Sequence, residues 1–161
     1  MTLHHSPVAS HRLQHGFTLV EVLIVVAIVG ILATLGFPSY LEQVRKSRRA
    51  DAVRGLMEAE QYMRRYFGTR DSFEGVTLPA GLAVAPRPAS GAASYNIQLI
   101  ENGGPVATST ALSATTFTLR ATRTGNMAGD RCGDLSVTNT GVKTLTNNAT
   151  GTTVGDCFKG S

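Results

Sequence analysis

The sequence has few of the residues on which catalysis depends. All four of its histidines lie in the first 16 residues, and they are His4, His5, His11 and His15. The rest of the chain therefore has no imidazole for general acid–base catalysis or for a catalytic triad. The G-x-x-x-x-G-K-[ST], H-E-x-x-H and G-x-S-x-G motifs are also absent from the sequence. We expect a protein that is not an enzyme and that needs no cofactor.

Cysteine is equally scarce. Cys132 and Cys157 are the only two in the chain, and no cluster of cysteine and histidine predicts a metal site. Outside the cytoplasm the pair would form a disulfide that closes a loop of about 26 residues and stabilises the fold by ~3 kcal/mol. In the cytoplasm the same residues would be two free thiols, so the compartment decides between the two interpretations.

Charged residues make up only 16% of the 161 residues, and 15 basic and 11 acidic side chains give a net charge of +4. This excess is too small for a dedicated nucleic-acid-binding protein, although a local basic stripe could attract phosphate groups. A solvated helix face is the simpler interpretation. The hydrophobic content of 42% argues against a disordered chain.

One long apolar run is present, FTLVEVLIVVAIVGILATLGF at residues 17–37. A single run excludes a polytopic membrane protein, and at ~1.5 Å per residue it forms ~30 Å of helix, enough to span a bilayer once. It is too long for a secretory signal peptide and is followed by no A-x-A-like cleavage site. The flanking charges leave its orientation ambiguous, or favour a cytoplasmic C-terminus. They are Arg12 before the run and Arg45, Lys46, Arg48 and Arg49 after it.

Glu21 is the only charged residue in this run. An ionised carboxylate in lipid is costly and usually has a partner, but no Lys or Arg lies within one helical turn. Cleavage after Gly16 would create an α-amino group at Phe17, one turn from Glu21, where it would neutralise the carboxylate in the same molecule or in a neighbour. A protonated or interfacial glutamate on a plain membrane anchor is the alternative.

The segment GFTLVE at residues 16–21, followed by the apolar run, resembles the class III signal of type IV pilins and pseudopilins. The resemblance implies cleavage after Gly16 by prepilin peptidase and N-methylation of Phe17. It also implies a subunit held in the bacterial inner membrane with a periplasmic C-terminal domain before assembly, and in a cell-surface pilus afterwards. The implied partners are other pilins in a helical filament, the peptidase and an inner-membrane assembly platform. Gly30 and Pro38 fall where pilins often carry residues that loosen the helix.

Apolar periodicity predicts one long helix from about residue 17 to residue 67, ended by Gly68. We expect its second half to be amphipathic, with the charged residues Arg45, Arg48, Arg49, Glu58 and Arg64 off the buried stripe. That stripe is predicted to consist of Val53, Leu56, Met57, Met63 and Phe67. The expected segments are a cleaved leader (1–16), a membrane or filament-core helix (17–38), an amphipathic helix (39–68), a connecting αβ-loop (69–93) and a sheet with the C-terminal region (94–161).

The connecting segment contains Pro79, Pro86 and Pro88, which exclude a long helix, and Phe73 and Leu78 are expected to pin it to the core. Beyond it, period-two patterns predict short strands at residues 94–100, 116–122, 135–137 and 142–145, with turns at 102–104 and 139–141. Phe117, Leu119 and Ala121 should point to one side. The predicted fold is α+β, a long helix packed on an antiparallel sheet of about four strands.

The C-terminal part extends the resemblance. Residues 129–135 and 156–158 resemble minor type IV pilins of the PilE type, which implies a disulfide-bounded region from Cys132 to Cys157. The major pseudopilin of type II secretion lacks such a bridge and binds calcium.

The function expected first is that of a structural subunit of a type IV pilus, in a minor role in assembly and thus in adhesion, twitching motility or DNA uptake. An alternative is a competence pilin that binds DNA. A third is a pseudopilin of a type II secretion system, and a fourth is a signal-anchored domain of unrelated function. The residues considered for DNA contact are Arg120, Arg123, Arg131 and Lys143.

Overall fold

The computed structural model describes residues 16–86, 92–101, 104–106 and 115–159. The expected leader up to residue 15, part of the connecting loop with Pro88, and the turn residues Asn102 and Gly103 lie outside these ranges. The chain divides into a unit that ends at Ser39 and a second unit that begins at Tyr40. The helices are α1 (Leu19–Arg70) and α2 (Val154–Phe158), and short 3-10 turns occupy Ala80–Leu82 and Gly125–Met127. The strands are β1 (Val84–Ala85), β2 (Tyr95–Glu101), β3 (Gly104–Val106), β4 (Thr118–Arg123), β5 (Asp134–Thr138) and β6 (Lys143–Thr146).

The first unit contains the apolar part of α1. Thr18 precedes the helix, and its Oγ1 accepts a hydrogen bond from the Glu21 N–H at 3.2 Å, which satisfies one of the unpaired amides of the first turn. The large apolar residues that follow are exposed all round the helix, from 51% for Val22 to 80% for Leu19. A helix that is apolar on every side is normally buried, either in a membrane or among other apolar protein segments.

In the second unit α1 buries one face against the sheet. The predicted stripe residues Val53, Leu56 and Met63 are buried, and Phe67 packs against the core, but Met57 is 56% exposed. The prediction for Met57 was wrong because small residues complete the buried face, and they are Ala52 and Ala59, each 0% exposed. Because alanine is only weakly apolar, the two alanines do not stand out in the pattern of large apolar residues. The buried face is therefore centred away from Met57.

The end of α1 also differs from the prediction. The helix continues past Gly68 to Arg70, and Asp71 adopts a positive φ of 52°. Its N–H donates to the Phe67 carbonyl at 2.7 Å, as in a left-handed helix cap. Aspartate tolerates this conformation, so Asp71 ends the helix in place of the expected glycine.

The six strands form one antiparallel sheet in the order β1-β2-β4-β5-β6, with β3 also paired to β2. The four predicted strands correspond to β2, β4, β5 and β6. The short strands β1 and β3 were not predicted, because β1 has two residues in a Pro- and Ala-rich segment and β3 contains Pro105. The first turn was predicted between the strands that correspond to β2 and β4, but β3 follows β2 in the chain, and β2 pairs with both β3 and β4.

The inner face of the sheet completes the core. Phe117, Leu119 and Ala121 are at most 3% exposed, which confirms their predicted common direction. Phe73 is 5% exposed and Leu78 packs against the same cluster, so both pin the segment between α1 and the sheet as expected. The structure thus has the predicted α+β fold, with a helix packed on an antiparallel sheet.

The C-terminal region is closed by a disulfide between Cys132 and Cys157, with an S–S distance of 2.05 Å. Both cysteines are buried in the core. Thr153 caps α2, since its hydroxyl oxygen accepts the Asp156 N–H at 3.3 Å and the Asp156 carboxylate accepts the Thr153 N–H at 3.1 Å. This reciprocal capping box fixes the short helix that carries Cys157.

Candidate functional site

The expected cleavage site lies where the chain is accessible. Residues 16–18 precede the helix, Gly16 is exposed, and Phe17 is 83% exposed. A peptide bond outside regular structure can enter a protease site without unfolding a helix. Glu21 follows in the first turn of α1 and is also exposed, so the structure places the predicted cleavage and register residues on one short open segment.

Exposed apolar side chains lie on both sides of Glu21 in the sequence, from Leu19 and Val20 before it to Val22 after it, and continue along α1. A Cβ added at Gly30 would meet no atom within 4 Å, so Gly30 is not required there by crowding within the chain. The structure does not describe the side chain of Pro38. In the described ranges no single helix passes the length and hydropathy criteria for a membrane span, whereas Leu19–Thr34 and Ser39–Arg70 pass as a pair joined across a break, by length and composition alone.

A buried ion pair joins α1 to the C-terminal region. Arg49 is 4% exposed and Asp130 is 1% exposed. The Arg49 Nε donates to Asp130 Oδ2 at 2.9 Å and its Nη2 donates to Oδ1 at 2.6 Å, the two-pronged geometry that makes arginine–carboxylate pairs strong. The Nη2 also donates to Glu42 Oε1 at 2.9 Å. One guanidinium thus holds two carboxylates, of which only Asp130 is fully buried.

Asp130 is satisfied by further donors. The Tyr95 hydroxyl donates to its Oδ2 at 3.3 Å, as does the Cys132 N–H at 3.3 Å. Hydrogen bonding to Asp130 raises the pKa of Arg49 above its ordinary value despite the opposing effect of burial. Burial raises the pKa of the Tyr95 hydroxyl, and the negative charge of Asp130 adds to this. Tyr95 and Arg49 therefore stay protonated around a fixed carboxylate.

Arg123 reinforces the same region from β4. Its Nη1 donates to the Asp130 carbonyl at 2.6 Å and its Nη2 to the Asn147 carbonyl at 3.0 Å. Its Nε lies 3.6 Å from Asp134 Oδ1. The guanidinium is therefore occupied within the fold, between the turn that precedes Cys132 and the end of β6.

Sequence reasoning missed the role of Arg49 and Asp130. Arg49 was expected on a solvated face, yet it lies one turn before Ala52 and Val53 and so falls on the buried stripe. The periodicity of α1 could have shown this. Nothing comparable in the sequence identifies Asp130 as its partner, since the two residues lie 81 positions apart.

Comparison with known families gives two matches. A model of the prokaryotic N-terminal methylation motif matches residues 11–37. A model described as "Type IV minor pilin ComP, DNA uptake sequence receptor" matches residues 38–136, more than half of the chain. The chain belongs to this type IV pilin family. Pilins of this family are structural subunits and not enzymes.

Individual relatives agree with this assignment. The pilin is 31% identical over 104 residues to the type IV major pilin protein PilE1 of Neisseria gonorrhoeae, which covers 65% of this chain and 61% of the relative. It is 51% identical over 41 residues to the type IV major fimbrial protein FimA of Dichelobacter nodosus, 26% of each chain. The pilin thus spans less than two thirds of the length of these relatives.

Two solved structures are also similar to the pilin. A type IV pilin from Shewanella oneidensis matches with a TM-score of 0.41 and 22% identity, covering 65% of this chain and 96% of the other. The non-core minor pilin PilV of Neisseria meningitidis matches with a TM-score of 0.42 and 16% identity, covering 66% and 93%.

The four basic residues considered for DNA contact lie in different environments in this pilin. Arg120 lies on the outer face of the sheet, where its Nε donates to Ser136 Oγ at 3.3 Å. Lys143 pairs with the core residue Val137 and so lies on the helix side. Arg123 is engaged in the contacts above, whereas the Arg131 side chain is 54% exposed. The four side chains therefore do not form one continuous strip.

The described residues include no group of three or more His, Cys, Asp or Glu side chains placed to hold a metal ion.

Proposed function

We propose that this pilin acts as a minor subunit of a type IV pilus after cleavage between Gly16 and Phe17 and methylation of the new amine. In this proposal the membrane holds α1 by its apolar half before assembly. Sister helices replace the lipid when an assembly platform adds the subunit to the filament. The subunit then contributes to pilus biogenesis, and through the pilus to adhesion, twitching motility or DNA uptake.

The observation that carries the proposal is the exposed apolar surface of α1 with a single carboxylate near its start. Every described large apolar side chain from residue 17 to residue 37 is more than half exposed, so the surface needs a continuous apolar cover. A charged Glu21 costs about 2.5–3.5 kcal/mol in lipid if it resembles aspartate at a helix centre. Pairing with the Phe17 amine of a neighbouring subunit would offset that cost and set the axial register of the filament.

The second unit supports a role outside the cytoplasm. Its disulfide persists only in an oxidising compartment. The disulfide and the buried Arg49–Asp130 pair both fasten the C-terminal region to the core. A unit fastened in this way can be carried on the filament surface without rearranging.

The test is Glu21→Val expressed in the native host, with Glu74→Val as the matched control, because Glu74 is exposed on a turn of the second unit. Mass spectrometry should find Phe17 with an N-methyl group in both variants. Sheared pili should contain the control but not Glu21→Val. Normal incorporation of Glu21→Val would contradict the register role, and an uncleaved parent chain would contradict processing after Gly16. A low ratio of this chain to the main subunit in sheared pili would support the minor role.

A second candidate function is DNA binding during uptake. The family model that matches residues 38–136 is described as a DNA uptake sequence receptor. Of the predicted set, Arg131 is exposed in the C-terminal region, Arg120 is partly exposed on the outer face of the sheet, and Lys143 is exposed on the helix side. Gel shifts of the mature chain with duplex DNA should weaken with salt. Arg131→Gln should reduce the slope of the logarithm of DNA affinity against the logarithm of salt concentration by about one. Arg54→Gln, which changes a 70% exposed arginine on α1, should leave that slope unchanged. Absence of a shift at low salt would eliminate this function.

A further inference from the structure

A basic cleft of about 250 Å³ lies in the second unit, between α1 and the C-terminal region. Its lining residues are Lys46, Arg49, Arg131, Asp156, Cys157 and Lys159. The lining does not include Glu21, and it shares Arg49 with the buried ion pair and Cys157 with the core. We define the lining residues as the basic cleft.

The cations of the basic cleft are not all equally available. Arg49 is balanced by buried Asp130. Lys46 and Lys159 are exposed and form no ion pair among the described residues, and Arg131 lies 3.8 Å from Glu42 through its Nε. Three exposed side chains with positive charge thus converge on one concavity.

Asp156, the carboxylate in the basic cleft, is already hydrogen-bonded within the fold. Asp156 accepts from the Thr153 hydroxyl at 2.6 Å and from the Thr153 N–H at 3.1 Å. These bonds lower the pKa of Asp156, first through the hydroxyl and then through the main-chain N–H, and the charges of Arg131 and Lys159 act in the same direction. Asp156 therefore serves the cap of α2, and Lys46 and Lys159 remain able to bind an external anion.

The position of the cleft along the chain indicates which anion it meets. Lys46 follows Phe37, the last residue of the apolar run, by nine residues, which is at most ~14 Å of helix. The headgroup layer extends roughly 5–8 Å beyond the hydrocarbon core, and surface charge acts over a further Debye length of about 8–10 Å. The ammonium group of Lys46 therefore falls within reach of headgroup phosphates when residues 17–37 are in the bilayer.

The charge distribution around the apolar run gives a second argument. Four basic residues follow the run, which opposes export of this end of the chain under the positive-inside tendency. They are Arg45, Lys46, Arg48 and Arg49. Burial in an ion pair accounts for Arg49 but not for exposed Lys46. The positive charge of Lys46 hinders export of this part of the chain. A contact that Lys46 makes after export would explain why the charge is present.

We propose that the basic cleft binds the phosphate of an anionic phospholipid headgroup in the leaflet next to the second unit, before the subunit enters a filament. This inference rests on the membrane-held stage of the proposed function. The bound headgroup would restrain the second unit at the membrane surface. Release of the headgroup would accompany extraction of the subunit.

The lysines of the mature chain allow a direct test, because there are three, Lys46, Lys143 and Lys159. Lys143 contacts the Phe158 ring at 5.4 Å and lines a separate groove beside Val53 and Leu56, so it serves as an internal reference. The mature chain is reconstituted in phosphatidylcholine vesicles, with or without phosphatidylglycerol, and treated briefly with a water-soluble acetylating reagent. Flotation of the vesicles reports anchoring separately from lysine labelling, which is read by mass spectrometry.

Phosphatidylglycerol should slow acetylation of Lys46 and Lys159 by about fivefold, the effect of roughly one bound charge, while Lys143 is unchanged and high salt abolishes the difference. Hydrogen exchange of residues 154–159 should slow in parallel. That slowing should persist in Lys143→Gln and disappear in the double variant Lys46→Gln, Lys159→Gln.

Equal labelling in both vesicles, with normal flotation, would overturn the headgroup proposal and leave the anchored stage intact. Failure to float with either vesicle would overturn both. Protection of Lys46 and Lys159 by duplex DNA but not by phosphatidylglycerol would also overturn the proposal and assign the cleft to nucleic acid.

Discussion

Removing Asp130 should destabilise the second unit far more than removing any exposed charge. In Asp130→Ala the Arg49 guanidinium, 4% exposed, would keep only Glu42, a half-exposed partner at 2.9 Å. Truncation of one member of a buried ion pair costs about 3–5 kcal/mol because the other charge stays buried. The Tyr95 hydroxyl would also lose its acceptor, at about 1 kcal/mol. Because total stabilities are about 5–15 kcal/mol, this loss is large.

The same reasoning predicts that removing both charges is milder. Arg49→Met combined with Asp130→Leu leaves no buried ion, so it should recover most of the loss. Arg54→Met is the matched control: Arg54 is 70% exposed and lies 3.4 Å from Asp51, and its loss should cost less than about 0.5 kcal/mol.

The assay is urea unfolding of the full chain in detergent, followed by near-ultraviolet circular dichroism and by hydrogen exchange of the sheet amides. All four tyrosines and the disulfide lie in the second unit, so the tyrosine band and the sheet amides report its unfolding. The reasoning is refuted if Asp130→Ala lies within about 1 kcal/mol of the parent. It is equally refuted if the double variant is as unstable as Asp130→Ala.

Three further predictions use the same unfolding assay. Gly133→Ala should cost about 2–4 kcal/mol, because Gly133 has a φ of 65° and an added Cβ would overlap main-chain atoms of Thr146, at the end of β6, and of the next two residues. Gly141→Ala, at a φ of 80° in open space, should cost only about 1–2 kcal/mol, and equal costs would contradict the overlap. Cys132→Ser with Cys157→Ser should cost ~3 kcal/mol, and an unchanged urea midpoint would contradict this. Burial raises the pKa of Tyr95, so the unfolded chain loses this proton first above pH ~10 and stability falls there; Tyr95→Phe should lessen that fall, and an identical pH profile would argue against it.

The parts of the fold governed by local pattern were predictable. The apolar run and the alternation in β2, β4 and β5 depend on neighbouring residues, so the sequence alone predicts a long helix and most of the sheet. The predicted burial of Met57 was wrong because alanines complete the buried face. The predicted helix end at Gly68 was wrong because Asp71 adopts the left-handed conformation that ends α1. The strands β1 and β3 were not predicted, because they are strands through their pairing with β2 and not through their own composition.

The candidate sites divide in the same way. Gly16, Phe17 and Glu21 lie within one short segment, so their spacing is visible in the sequence. The buried pair of Arg49 and Asp130 is a long-range contact that the sequence does not encode locally. The same holds for the basic cleft, whose residues come from α1, the turn before β5 and the C-terminal region. A set of basic residues chosen from the sequence by charge alone therefore mixed both faces of the sheet.

The residues that cover the buried face of α1 come much later in the sequence. Leu56 and Met63 on α1 pack in one cluster with Leu135 and Cys157, and Arg49 meets a partner 81 residues further on. The amphipathic half of α1 is thus synthesised long before the strands that cover it. Because contacts of high sequence separation form slowly, the nascent chain exposes an apolar stripe until the segment that carries Leu135 and Cys157 has been made. Truncation or delayed completion of the chain would leave that stripe open to aggregation.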